Sequence, residues 1–111
     1  MLLADKVAVI SGAAGERGIG FATARTFAAH GARVVILDLD GQAAEAAAAR
    51  LGAGHLGIAC DVTDKASCAA AVAAVIAAVG KIDVLVNNAG ITQGVKVADI
   101  QAADWERILA V

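Results

Sequence analysis

Tyrosine is absent from this 111-residue chain, and aromatic residues of any kind make up only 3% of it. A core built from such a sequence rests on small aliphatic side chains, mostly Ala and Val. No run of like charges suggests a binding tail. A net charge of −2 gives no electrostatic reason to expect nucleic acid or an anionic membrane as partner. The longest apolar stretch, Cys68 to Val79, has 12 residues. A membrane-crossing helix needs about 20, so a buried helix is expected. The N-terminus has no basic segment ahead of an apolar one and no secretory cleavage pattern, which predicts no signal peptide and a cytoplasmic location. Only two cysteines occur, Cys60 and Cys68. They lack metal-ligand spacing and are expected to be reduced core residues, and no metal site is expected.

The rest of the sequence alternates short β-branched runs with longer alanine-rich ones. Strands are predicted over 6–10, 32–37, 55–60 (weakened by Gly57) and 82–86. Helices are predicted over 18–30, with Ile19, Ala22, Thr26, Phe27 and His30 near one face, over 41–51 and over 64–79. Gly52 ends the second helix, Thr63 or Asp64 caps the third, and Gly80 ends it. A last, amphipathic helix starts near Gln101. Strands alternating with helices argue for a parallel sheet covered on both faces. With right-handed crossovers, the expected architecture is an α/β, Rossmann-type, doubly wound sheet of about four strands in the order 3-2-1-4. The length fits one domain, residues 1–111.

Between the first strand and the first helix lies "SGAAGERGIG", residues 11–20. A strand that turns through glycines into a helix builds an anion site, because free N–H groups of the first helical turn and the helix dipole both favour negative charge. Gly12 would permit the turn, Gly18 would admit a diphosphate to the backbone, and Gly20 would let the helix pack on the sheet. Asp38 follows the second strand, 18 residues after Gly20, where a carboxylate can accept hydrogen bonds from an adenosine ribose. Asp61 and Val62 follow the third strand; Asp61 reads as an adenine-flanking residue or as a helix-entry residue. "NNAG", residues 87–90, follows the fourth. All four strand ends lie at the carboxyl edge, where ligands bind in open α/β sheets.

With "SGAAGERGIG" and "NNAG" together, the chain resembles the short-chain dehydrogenase/reductase family along its whole length, and most closely its 3-oxoacyl-carrier-protein reductase type. The resemblance implies that Gly12, Gly18, Ile19 and Gly20 hold the cofactor diphosphate and adjoining ribose. It implies that Asp38, with Leu39 beside it, binds the adenosine ribose, and that Asp61 and Val62 hold the adenine. Asn88, Ala89 and Gly90 would line the cofactor cleft, Asn87 would brace the strand, and Val111 would touch the adenine side. The family reaction moves hydride between a nicotinamide and an alcohol or ketone, and a homo-oligomer is implied for the full-length enzyme.

Two departures stand out. The family loop reads Thr-Gly-x-x-x-Gly-x-Gly; here Ser11 keeps the hydroxyl, and five residues rather than three separate Gly12 from Gly18. The family also uses an Asn, a Ser and a Tyr-x-x-x-Lys for catalysis. None has a counterpart here, so no catalytic residue is assigned and the chain alone is expected to bind without turning over. It reads as a cofactor-binding half truncated before the catalytic half. A non-catalytic module or half of a split enzyme is the alternative, and a methyltransferase fits "NNAG" poorly.

Arg17 and Asp38 pull cofactor choice in opposite directions. Arg17 can meet the 2′-phosphate of NADP, whereas Asp38 would repel it by about 4 kcal/mol per like-charge pair at ~4 Å and an effective dielectric of ~20. NAD is therefore expected over NADP. His30 and His55 read as helix-end or strand-start residues, and Trp105 as an anchor for the last helix. An unpaired fourth strand predicts that the isolated chain is molten, aggregates or pairs with itself.

Overall fold

A computed structural model of the chain describes residues 1–90 and 102–110. Its elements are β1 (Val7–Ser11), α1 (Ile19–Ala29), β2 (Arg33–Asp38), α2 (Gly41–Leu51), β3 (Leu56–Ala59), α3 (Lys65–Val79), β4 (Val84–Val86) and α4 (Ala102–Ala110). The four strands form one parallel sheet in the order β3-β2-β1-β4, as expected from the alternation. Val9 of β1 sits opposite Val35 of β2 and Leu85 of β4.

Strand side chains alternate between two cores. Ile10, Val34 and Ile36 pack with Phe21 and Ala24 of α1 and with Ala44 and Ala47 of α2. Val7, Val9, Val35 and Leu37 pack on the other face with Ala71 and Val75 of α3. Alanine-rich helices suit this arrangement because they approach a sheet closely. Gly57 belongs to it: a Cβ there would collide with the backbone of Ala44. The glycine expected to weaken β3 instead lets α2 lie directly on it.

Helix ends follow local chemistry. Asp40 caps α2, its Oδ1 accepting from the amides of Gln42 and Ala43 at 3.0 and 3.1 Å. Of the two candidates at α3, Asp64 is the cap, accepting from Ala66 N at 3.0 Å. Gly80 ends α3 in a left-handed conformation, φ +83°. Cys60 and Cys68 are both free thiols. No helix of the described residues is long and apolar enough to cross a membrane.

Three expectations need correction. The buried residues of α1 are Gly20, Phe21 and Ala24; of the five residues expected on one face, Phe27 and His30 are half-buried, while Ile19, Ala22 and Thr26 are exposed. Gly20 sets this phase, because a side chain at that position would strike Asn88 and Ala13. β2 runs one residue further than expected, so Asp38 ends the strand. β4 starts two residues later than expected, at Val84. Asp83 there turns to bond β1: its carboxylate accepts from Val7 N at 2.8 Å.

Candidate functional site

The carboxyl ends of β1 and β4 are tied together by one hydroxyl. Ser11 Oγ accepts from the amides of Asn88 and Ala89 at 3.2 and 3.1 Å, and donates to Val86 O at 3.5 Å. Asn88 Nδ2 returns a hydrogen bond to Gly12 O at 3.1 Å. Gly12 has φ +68°, and a Cβ on it would stand 2.7 Å from Ala89 Cα. Only glycine meets both demands, since L-residues disfavour this conformation.

Beside this junction opens a cleft of about 460 Å³, lined by Gly12, by Asp38 and Leu39 after β2, by Asp61 to Thr63 after β3 and by Asn88 to Gly90 after β4. Asp38 Oδ1 accepts from Asp40 N at 3.2 Å, which holds its carboxylate at the turn out of β2. Asp61 is a helix-entry residue that also lines the cleft. Its Oδ1 accepts from Thr63 Oγ1 at 2.6 Å and Thr63 N at 3.0 Å at the entry to α3. The Thr63 hydroxyl, then the Thr63 amide, holds the Asp61 carboxyl below its ordinary pKa.

The glycine loop enters α1 without a side-chain cap. Gly18 occupies the N-cap and no acidic residue sits in the first turn, whereas aspartates close α2 and α3. The opening N–H groups of α1 are therefore left available to an anion. The two extra residues are absorbed in a turn closed by Gly18 N donating to Gly15 O at 3.0 Å. Glu16 and Arg17 are exposed on it, and Ala13 is buried in the core before it.

The profile of the short chain dehydrogenase family matches residues 6–111. The chain belongs to the short-chain dehydrogenase family. A short-chain type dehydrogenase/reductase of Sinorhizobium fredii is 58% identical over all of this chain and 46% of its own length. D-threitol dehydrogenase of Mycolicibacterium smegmatis is 46% identical over 98% of this chain and 42% of its own length. The crystal structure of 3-ketoacyl-(acyl-carrier-protein) reductase from Brucella melitensis complexed with NADH superposes with a TM-score of 0.91. It is 40% identical, over 98% of this chain and 45% of that one. The chain thus spans less than half the length of these short-chain dehydrogenase relatives.

Within this short-chain dehydrogenase fold, Gly12, Asp38, Leu39, Asp61, Val62, Asn88, Ala89 and Gly90 all line the one cleft. Arg17, Gly18, Ile19 and Gly20 are not among its lining residues and lie on the loop and first turn of α1. Val111 and the side chain of Trp105 lie outside the described residues. Asn87 lines an adjoining, mainly apolar cleft beside α3, and beyond the β1–β4 ladder the bonds to Ser11 and Gly12 are made by Asn88 and Ala89. Sequence reasoning missed Leu37, Cys60 and Thr63 in the cleft wall. Thr63 was legible as a hydroxyl two residues after Asp61; Cys60 and Leu37 look like ordinary strand residues. No group of three or more His, Cys, Asp or Glu side chains among the described residues is placed to hold a metal.

Proposed function

We propose that this chain is the dinucleotide-binding part of an NAD-dependent oxidoreductase acting on a small alcohol or ketone. The observation that carries the reading is the shared cleft, where a glycine turn, two carboxylates and Asn88 to Gly90 meet at the carboxyl ends of parallel strands. The uncapped start of α1 fits a diphosphate, and glycine at position 12 lets β1 turn in close against Ala89. Bound there, the nicotinamide cofactor would supply hydride chemistry. Gly18, Ile19 and Gly20 would offer amides to the diphosphate, Asp38 would accept from the ribose hydroxyls, and Asp61 and Val62 would flank the adenine. Asn88 to Gly90 would form the opposite wall, and Val111 would approach the adenine side.

The 111 residues form a single domain in this reading, and they supply binding rather than proton transfer. A sequence without tyrosine offers no phenol to exchange a proton with the substrate oxygen. That same observation favours a second reading, a module that binds NAD without catalysis. The intact mass of the protein made by its source cells separates them. A mass about twice that of 111 residues, with a Tyr-x-x-x-Lys beyond Val111, supports the enzyme; a mass matching the chain supports the module.

Cofactor choice is tested by titration. Asp38 lies in the cleft, whereas Arg17 is exposed on the loop turn. NADH is expected to bind at least about tenfold more tightly than NADPH, since one like-charge contact at an effective dielectric of 20 opposes the 2′-phosphate by more than that. Tighter binding of NADPH refutes the NAD assignment.

A further inference from the structure

The enlarged glycine loop is held from outside by one side chain. Arg50, in the last turn of α2, donates from Nη2 to the carbonyl of Ala14 at 3.3 Å. Among the described residues this is the one hydrogen bond that reaches residues 13–17 from another element. The Arg50 guanidinium lies 5.0 Å from the ring centroid of Phe21, a side chain only 2% exposed at the start of α1. Ring and carbonyl together fix the guanidinium: the planar group rests on the aromatic face while one edge donates. Arg25 lies 5.1 Å from the same ring centroid but makes no hydrogen bond to the loop among the described residues.

We propose that Arg50 is a positioning residue for dinucleotide binding. It pins Ala14, so that the turn from Gly15 to Gly18 delivers the first amides of α1 to the diphosphate in one geometry. Ala13 is anchored by burial and Gly18 by its bond to Gly15. The Ala14 carbonyl is the remaining point at which the two-residue extension can swing. Arg50 touches the loop and not the cleft, so its effect is on the phosphates and not on the adenosine. This role rests on the dinucleotide reading above.

The test uses the protein as its source cells make it, with NADH, ADP and adenosine titrated separately. Arg50→Met is expected to weaken NADH and ADP about fivefold, the scale of one exposed hydrogen bond and ring contact, and to leave adenosine within about twofold. Arg50→Lys, which keeps a donor within reach of the carbonyl, recovers part of the loss. Arg25→Met removes an equal charge from the same ring and leaves all three affinities within about twofold. Unchanged NADH binding in Arg50→Met overturns the proposal. So does an equal loss in Arg25→Met, which would make the effect one of charge, or an equal loss for adenosine, which would make it one of folding. If the unmodified protein binds none of the three, the dinucleotide reading fails. Hydrogen exchange at the amides of residues 14–18 then judges the loop anchor without a ligand. Faster exchange in Arg50→Met than in Arg25→Met upholds it, and equal exchange overturns it.

Discussion

The two edges of the sheet use polar side chains in opposite ways. At the amino edge they are spent on backbone. Asp83 accepts from Val7 N, His55 Nδ1 accepts from Val34 N at 3.0 Å, Arg33 Nε donates to Gly54 O at 2.8 Å, and Lys81 Nζ donates to Asp5 O at 2.5 Å. At the carboxyl edge, Ser11 and Asn88 bond the strands together, but Asp38 and Asp61 keep hydrogen-bonding capacity at a cleft, and the first amides of α1 have no side-chain cap. A parallel sheet has this asymmetry available because all its strands end on one side. Closing one edge lets the other stay open.

The sharpest test of this division is Asp38→Ala. A hydrogen bond to a charged group is worth about 1.5–3 kcal/mol, so NADH affinity should fall roughly ten- to a hundredfold. Asp38 is only partly buried at the end of β2, and among the described residues the one bond of its side chain spans two residues. Unfolding stability should therefore move by no more than about 0.5 kcal/mol. Calorimetric titration and urea unfolding of the same preparations check both halves. A stability loss as large as the binding loss would place Asp38 with the amino-edge residues and break the comparison.

Ser11→Ala probes the point where the edges cannot be separated. Its hydroxyl is 4% exposed as part of a buried residue and serves two amides. Removing it leaves those amides short of an acceptor, at about 1–3 kcal/mol, and loosens "NNAG" against Gly12. Stability and NADH affinity should fall together, and Ser11→Thr should restore both. Loss of stability alone would show that the β1–β4 tie is structural and does not shape the cleft.

The division also explains what could be read in the sequence. The sheet order and most of the cleft residues were legible because β-branched runs mark strands, and because glycines and acids gather at the strand ends. The phase of α1 was not. Ile19 outranks Gly20 in hydrophobicity, but Gly20 is the residue that fits against Ala13 and Asn88, and Ile19 is left 81% exposed. Space, not apolarity, decided the face. Gly57 was misleading for the same reason, since the clash it avoids lies with α2, far along the chain. The amino-edge locks were illegible too. His55 and Asp83 bond to residues 21 and 76 positions away, and no local pattern announces such pairs.

His55 offers the smallest effect and the cleanest amino-edge readout. Desolvation, and secondarily the charge of Arg33, lower its pKa from the ordinary 6.5. Its Nδ1 must stay unprotonated to accept from Val34 N. Because the folded protein holds this imidazole neutral more strongly than the unfolded chain does, the unfolded state binds more protons between the two pKa values. Stability from His55 is thus fully present above pH 6.5 and declines as pH falls from there through the lowered folded value. His55→Ala removes the acceptor and should cost about 1 kcal/mol at pH 8, with the gap to the unmodified protein narrowing at pH 5. NADH affinity at pH 8 should not change, because His55 stands at the end of the sheet away from the cleft. If His55→Ala weakened NADH binding at constant stability, the amino edge would be communicating with the cleft, and the two edges would have to be treated as one coupled system.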